Sequence, residues 1–199
     1  MFDSILLDKS SDEKLIYRAL DGSERSWVCL VKRHEQPIYN YCLRMTRNPT
    51  DAMDLMQEVF LAVYRNLPSY SGKGVFRPWM MRIAVNKYID FLRAKERQPQ
   101  HHGEEYQEQE SYYLHDRLQD KQLADPDATF EQMNLAREVK QLMQMLSTEQ
   151  RLVIELKFFQ HFTFEEIGYQ LGISSNTVKS RLYAALQKMK GQMENQHVM

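Results

Sequence analysis

Cysteine is nearly absent. Cys29 and Cys42 stand thirteen positions apart, with no CxxC pair, and read as free thiols in a reducing cytosol rather than as a disulfide staple. Glycine and proline are scarce, seven and six, and β-branched runs are few, which argues against sheet and for helix. The opening MFDSILLDKSSDEK has no basic flank and too short an apolar run for a secretory signal. No apolar stretch approaches the about 20 residues of a membrane span. A soluble, cytoplasmic protein without membrane insertion is expected. Also missing are a nucleophile–base set, a phosphate loop and a metal-ligand cluster. His101, His102 and His115 lie without cysteines or ordered acids beside them, so no catalytic residue, metal or cofactor is expected.

What the chain has in quantity is Met, Leu, Glu, Gln, Lys and Arg. These are straight-chain helix formers, and the fold class they predict is all-α. The net charge of −1 conceals an asymmetry. Between Gln98 and Glu131 nine acids face two bases, a net of −7 that leaves +6 elsewhere. Basic ends around an acidic middle suggest a nucleic-acid partner for the ends.

Residues 1–10 read as a loose lead. Ser11 or Asp12 caps a helix to about Leu20, and Asp21-Gly22-Ser23 is a turn. From Glu24 to about Thr46, Trp27, Leu30, Val31, His34, Ile38, Tyr41, Cys42 and Met45 hold helical spacing, with an interruption expected near Pro37. Asn48-Pro49-Thr50-Asp51 supplies a turn and a cap. The next helix places Ala52, Leu55, Met56, Val59 and Val63 inward and Asp54, Gln57, Glu58 and Arg65 on another face. After a break at Pro68–Gly74, a helix from about Arg77 to Lys95 carries an apolar stripe of Met80, Ile83, Ala84, Ile89 and Leu92. Its polar side is basic, with Arg77, Arg82, Lys87, Arg93 and Lys95 against Asp90. Tyr70, Phe76 and Trp79 cluster at the joint. They read equally as core aromatics or as platforms for unpaired bases. Asp54 and Glu58, one turn apart without a histidine or metal partner, read better as a protein-docking face than as an acid–base pair.

Residues 98–128 are polar, acidic and weakly periodic, a flexible linker able to stretch on the order of 100 Å. The expected domains are therefore 1–97 and 129–199, two small helical domains around that linker. In the second, Phe130 to Leu146 and Glu149 to about Phe159 are helical, and a helix-turn-helix follows. Thr163 and Glu166 form a capping box, Gly168 permits close helix approach, and Gly172 supplies a left-handed turn. Ile173 plugs the turn and Ser174 caps the second helix. There Val178, Leu182, Ala185 and Met189 face inward, with Asn176, Lys179, Ser180 and Tyr183 roughly opposite. Donors near that helix N-terminus suit base edges and phosphates in a major groove. The tail after Gly191 is expected to fray.

Three stretches, DAMDLMQEVFL, FRPWMMRIAVNKYIDFLR and FTFEEIGYQLGISSNTVKSRLY, in this order and spacing, resemble the extracytoplasmic-function group of bacterial RNA polymerase sigma factors. The resemblance covers about Ser23–Arg97 and Thr129–Lys190. It implies that Asp54, Leu55, Gln57, Glu58 and Phe60 dock on the clamp of core RNA polymerase. It implies that Tyr70 to Phe76 capture a base flipped from the minus-ten element, and that Arg77, Trp79, Arg82, Asn86, Lys87, Asp90 and Arg93 recognise and open that promoter DNA. Ser175, Asn176, Thr177, Lys179, Ser180 and Arg181 would read the minus-thirty-five element. The linker would thread the polymerase, and an anti-sigma factor would regulate the chain.

Two places depart from the family pattern. Met53 stands where an acid is common, and Ala184 and Ala185 stand in a segment usually richer in arginine. Two rivals stay open. A stand-alone operator-binding regulator would use only the hairpin at 163–190 and need no acidic face. A sequestering protein would leave Lys179 and Arg181 unexplained.

Overall fold

The computed structural model describes residues 10–72, 74–97, 138–139 and 141–197, without side chains beyond 194. The expected lead through residue 9, the linker with its three histidines, and the start of the helix expected from Phe130 lie outside those residues. Among the described residues all regular structure is helical. The chain divides into two units, Met1–Tyr106 and Gln107–Met199.

In the first unit, Ser11 caps α1 (Asp12–Leu20), its hydroxyl accepting from the Lys14 amide, with Asp12 and Glu13 at the positive end of the helix. Gly22, at φ +88°, makes the turn into α2 (Glu24–Thr46), which Ser23 caps. No interruption occurs at Pro37: α2 runs through it. The proline costs roughly 3 kcal/mol in a helix interior. Leu30 and His34 before it, and Ile38, Tyr41, Cys42 and Met45 after it, are all buried, so packing on both sides outweighs the lost hydrogen bond. The helix stops at Arg47, which takes the left-handed conformation at φ 64°. Asn48 then accepts from the Asp51 amide at 3.0 Å and Pro49 opens α3 (Pro49–Asn66). A 3-10 turn, Leu67–Ser69, leads toward α4 (Phe76–Arg97).

The core of this unit joins Leu15, Leu30, Ile38, Leu55, Val59, Val63, Met80 and Ala84. On α4 the buried set is Phe76, Met80, Met81, Ala84, Val85 and Tyr88. Ile83, Ile89 and Leu92, expected in the stripe, are only half-buried. Apolar pairs at 80–81 and 84–85 allow two phases of the same period, and packing against α2 and α3 chose the other one. Tyr88 exploits that phase, since its buried hydroxyl donates to the Met45 carbonyl at 3.3 Å.

In the second unit the described residues start with helical 138–139 and 141–144. Ser147 and Gln150 form a reciprocal cap for α5 (Thr148–Ile154). The single helix expected to Phe159 instead passes into a π-helical turn, Glu155–Phe159. That turn surrounds a buried polar knot. Arg151 donates to the carbonyls of Met143 and Leu146, the loose end of the preceding helix, and Gln160 donates to the buried Glu155 carboxylate at 2.9 Å. Then come α6 (Phe164–Leu171) and α7 (Ser175–His197). α7 continues past Gly191, where fraying was expected, and Lys190 pairs with Glu194 across one turn.

Candidate functional site

The helix-turn-helix is assembled from local signals. Thr163 and Glu166 make both bonds of the capping box, at 3.2 and 2.7 Å. Gly172 closes α6 at φ 67°. Gly168 has no room for a side chain, because a Cβ there would lie 2.7 Å from the Ile173 carbonyl oxygen. That contact seats the turn on α6, with the Ile173 amide donating to the Gly168 carbonyl at 3.0 Å. The Ser174 hydroxyl accepts from the Thr177 amide and starts α7. Ile167, Val178, Leu182 and Ala185 are buried, whereas Met189 is half-buried.

This packing turns Asn176, Thr177, Ser180 and Tyr183 outward, with Ser175 and Lys179 half-buried. The Ser180 hydroxyl donates back to the Asn176 carbonyl and Thr177 shares a hydrogen bond with Ser174. Arg181 turns away from that row to pair with Glu149 of α5 at 2.9 Å. Two cations that the pattern kept apart meet at one ring: Lys157 and Lys179 lie 4.8 and 5.5 Å from the centre of Phe164. Sequence reasoning missed Lys157, because only the π-helical turn aims it there. The Arg-poor segment also becomes intelligible. Ala185 is fully buried, so an arginine would not fit, and only Ala184 stands at an exposed position.

The first unit presents two helix faces. On α3, Asp54, Gln57 and Glu58 are exposed and Phe60 is half-buried. Leu55, grouped with them by the resemblance, is 3% exposed. It supports the face from inside instead of lining it. Met53, beside them, is half-buried. On α4, Arg82, Asn86, Asp90 and Arg93 are exposed and Arg77 and Lys87 are half-buried. The acidic and basic faces are not separate. Glu58 pairs with Lys87 at 3.0 Å and Asp51 with Lys95 at 2.6 Å, while Arg93 pairs with Asp90 at 3.4 Å. Among the described residues, Asp54 has no such pair.

The three aromatics at the joint touch one another. Tyr70 and Trp79 rings are 5.2 Å apart, Tyr70 and Phe76 5.5 Å, and Phe76 and Trp79 5.6 Å. Phe76 is 3% exposed and also meets the His34 ring. It is therefore a core ring that braces its neighbours, while Tyr70 and Trp79 are only partly buried. The Tyr70 hydroxyl donates to the Gly74 carbonyl and ties the loop. Burial, then the Glu13 and Asp12 carboxylates, pushes that hydroxyl's pKa above the usual tyrosine value. Between α3, the 3-10 turn and α4 an open cavity of about 320 Å³ is lined by Asn66, Ser69, Trp79, Arg82, Asn86 and Lys87. Asn66, the last residue of α3, and Ser69, in the 3-10 turn, were absent from the expected site.

Two sequence families match the chain, Sigma-70 region 2 over residues 30–98 and Sigma-70 region 4 over residues 136–189. The chain is 26% identical to the RNA polymerase sigma-H factor of Pseudomonas aeruginosa, covering 90% of this chain and 92% of that one. It is 28% identical to the ECF RNA polymerase sigma factor SigW of Bacillus subtilis, covering 92% and 97%. In fold it is similar to CnrH, solved in complex with the cytosolic domain of CnrY, with a TM-score of 0.63 at 23% identity over 94% of this chain and 99% of that one. It is also similar to the sigma factor RpoE of Bartonella quintana, solved with the anti-sigma factor NepR, with a TM-score of 0.56 at 17% identity over 79% and 89%.

Proposed function

The chain belongs to the extracytoplasmic-function sigma factors of bacterial RNA polymerase, and from that premise we propose how its faces divide the work. A sigma factor acts in promoter-specific transcription initiation with RNA polymerase. Here residues 1–97 hold core polymerase and the minus-ten element, residues 98–128 connect, and residues 129–199 hold the minus-thirty-five element. The chain works in the cytoplasm, as a regulatory subunit that catalyses no reaction itself.

Asp54, Gln57 and Glu58 dock on the polymerase, with Leu55 beneath them. Arg77, Arg82, Lys87 and Arg93 hold phosphates of the parted strand. Flipping a base costs a few kcal/mol, and the cavity beside Trp79, Arg82 and Asn86 supports the reading by giving such a base a polar, concave place. The Glu58–Lys87 pair then acts as a keeper: each charge is held in place by the other until polymerase and DNA arrive. In the second unit Asn176, Lys179 and Ser180 meet duplex DNA, and Arg181, paired with Glu149 of α5, is cheap to redirect to the same duplex. The regulator inferred is an anti-sigma protein, of the kind bound to the Bartonella quintana relative.

The observation that carries the reading is the pairing of the outward Glu58 on α3 with Lys87 of the basic α4, which also lines the cavity. Run-off transcription with purified core polymerase over a random promoter library tests it. Discrete, chain-dependent transcripts are expected. A chain that never joins polymerase yet occupies intact duplex alone would instead be the stand-alone regulator.

A further inference from the structure

One cluster in the first unit is unused by the functions so far assigned, and it lies behind the ring cluster. Asp12, first residue of α1, accepts from Arg33 at 2.6 Å through one carboxylate oxygen and meets His34 Nε2 at 2.9 Å through the other. The His34 ring also meets Phe76, whose ring lies 5.4 Å away, edge to face. Phe76 opens α4 and touches both Tyr70 and Trp79. A continuous path of contacts therefore runs from α1, through one imidazole, to the loop and helix assigned to the minus-ten element. α1 lies outside the matched region-2 stretch, which begins at residue 30.

We propose that Asp12 and His34 are positioning residues for promoter melting, a latch by which α1 fixes Phe76 and, through it, the Tyr70–Trp79 rim. The physical grounds are three. His34 is 8% exposed, and burial first, then the Arg33 and Arg77 charges, lowers its pKa against the opposing Asp12 carboxylate, so the neutral ring donates from Nε2 to Asp12. Asp12 is held from the opposite side by Arg33, which fixes the carboxylate that fixes the ring. Phe76 is buried with rings on two sides, so a change in the His34 ring angle displaces Phe76 or is refused. Tyr70 feels the same end of α1, since the Glu13 and Asp12 carboxylates reach its hydroxyl electrostatically. Neither latch residue is required to touch DNA.

The inference rests on the minus-ten assignment above, and the test separates the two. Holoenzyme is assembled from core polymerase and full-length chain, on the strongest promoter selected from the random library. Melting is followed by a fluorescent adenine analogue placed in the non-template minus-ten strand. Asp12→Ala and His34→Ala are each expected to slow melting by about tenfold, the scale of one lost hydrogen bond to a charged group. The double variant is expected to be no slower than the slower single one, because both remove the same link. Asp12→Asn keeps an oxygen for His34 and recovers most of the rate. Holoenzyme assembly stays at the wild-type level throughout. Melting at the wild-type rate in Asp12→Ala, or assembly and melting lost in equal proportion, overturns the latch. Should His34→Ala fail to fold, Asp12→Ala decides, since that side chain is already a quarter exposed. Wild-type chain that assembles but melts nothing removes the minus-ten assignment itself, and the latch with it.

Discussion

The two units reach their binding faces by different routes. In the helix-turn-helix the face follows from signals a few residues long: a capping box, a left-handed Gly172 and a Gly168 pressed on the Ile173 carbonyl. Each fixes its own turn, and the outward row on α7 follows from helical geometry. In the first unit the faces exist only once helices pair. Glu58 finds Lys87 across 29 positions and Asp51 finds Lys95 across 44. A face read from one helix there is half of an object whose other half is elsewhere. The contrast teaches that a locally encoded site tolerates changes in its neighbours, while a paired site transmits them.

The sharpest way to break that comparison is to remove what lies under each face. Leu55→Ala should destabilise the first unit by about 2–5 kcal/mol, the usual cost of emptying a buried leucine site, whereas Asp54→Ala at the preceding position should leave urea unfolding unchanged and weaken polymerase binding. Equal stability of the two variants would return Leu55 to the docking face. Gly168→Ala should cost about 1–3 kcal/mol, because the added methyl meets backbone that has nowhere to go. Unfolding of the full-length variant should show the loss in the second unit, with its DNA binding lost in step. Lys179→Ala should weaken promoter binding by about 1–2 kcal/mol if its contact is to a base. Arg181→Ala should lower the second unit's stability by only about 0.5 kcal/mol, since Glu149 is largely exposed.

The next effect is on pH. The folded chain holds His34 neutral below its ordinary pKa of 6.5, chiefly through burial. Above that value both states are neutral there and stability is full. As pH falls below 6.5 the unfolded chain takes up a proton that the folded one resists, so stability declines until the lowered folded pKa is passed. Urea midpoints between about pH 7.5 and 5 should fall in wild type and flatten in His34→Gln; parallel curves would remove His34 as the cause. The smallest effect belongs to Glu58 and Lys87. Both are partly exposed, so a double-mutant cycle on stability should return roughly 0.5 kcal/mol or less, leaving either charge cheap to redirect to a partner.

Much of the fold was legible because it is written in periods and caps. Ser11, Ser23, Asn48, Ser147 and Thr163 cap their helices, and each precedes a helical apolar pattern in the sequence. What was not legible depends on tertiary choice. Pro37 reads as a break, and only the buried residues on both sides keep α2 whole. The α4 stripe has two phases, and only its neighbours choose between them. The π-helical turn that swings Lys157 to Phe164 has no local signature. In the candidate sites, the exposed residues Asp54, Glu58 and Arg82 follow from amphipathicity alone, whereas Asn86 came only with the resemblance. That Phe76 braces rather than stacks, and that Arg181 pairs with Glu149, follows only from three-dimensional neighbours. The same distinction governs His34: its place in the α2 pattern was readable, its link from Asp12 to Phe76 was not.

The most direct measurement compares two variants of the full-length chain in one assay of polymerase assembly and promoter melting. Asp54→Ala/Glu58→Ala should fail to assemble with core polymerase. Arg82→Ala/Lys87→Ala should assemble like wild type and leave the minus-ten strand closed. If both variants lose assembly and melting together, the carboxylates and the cations serve one surface, and the division between a polymerase face and a DNA face is wrong.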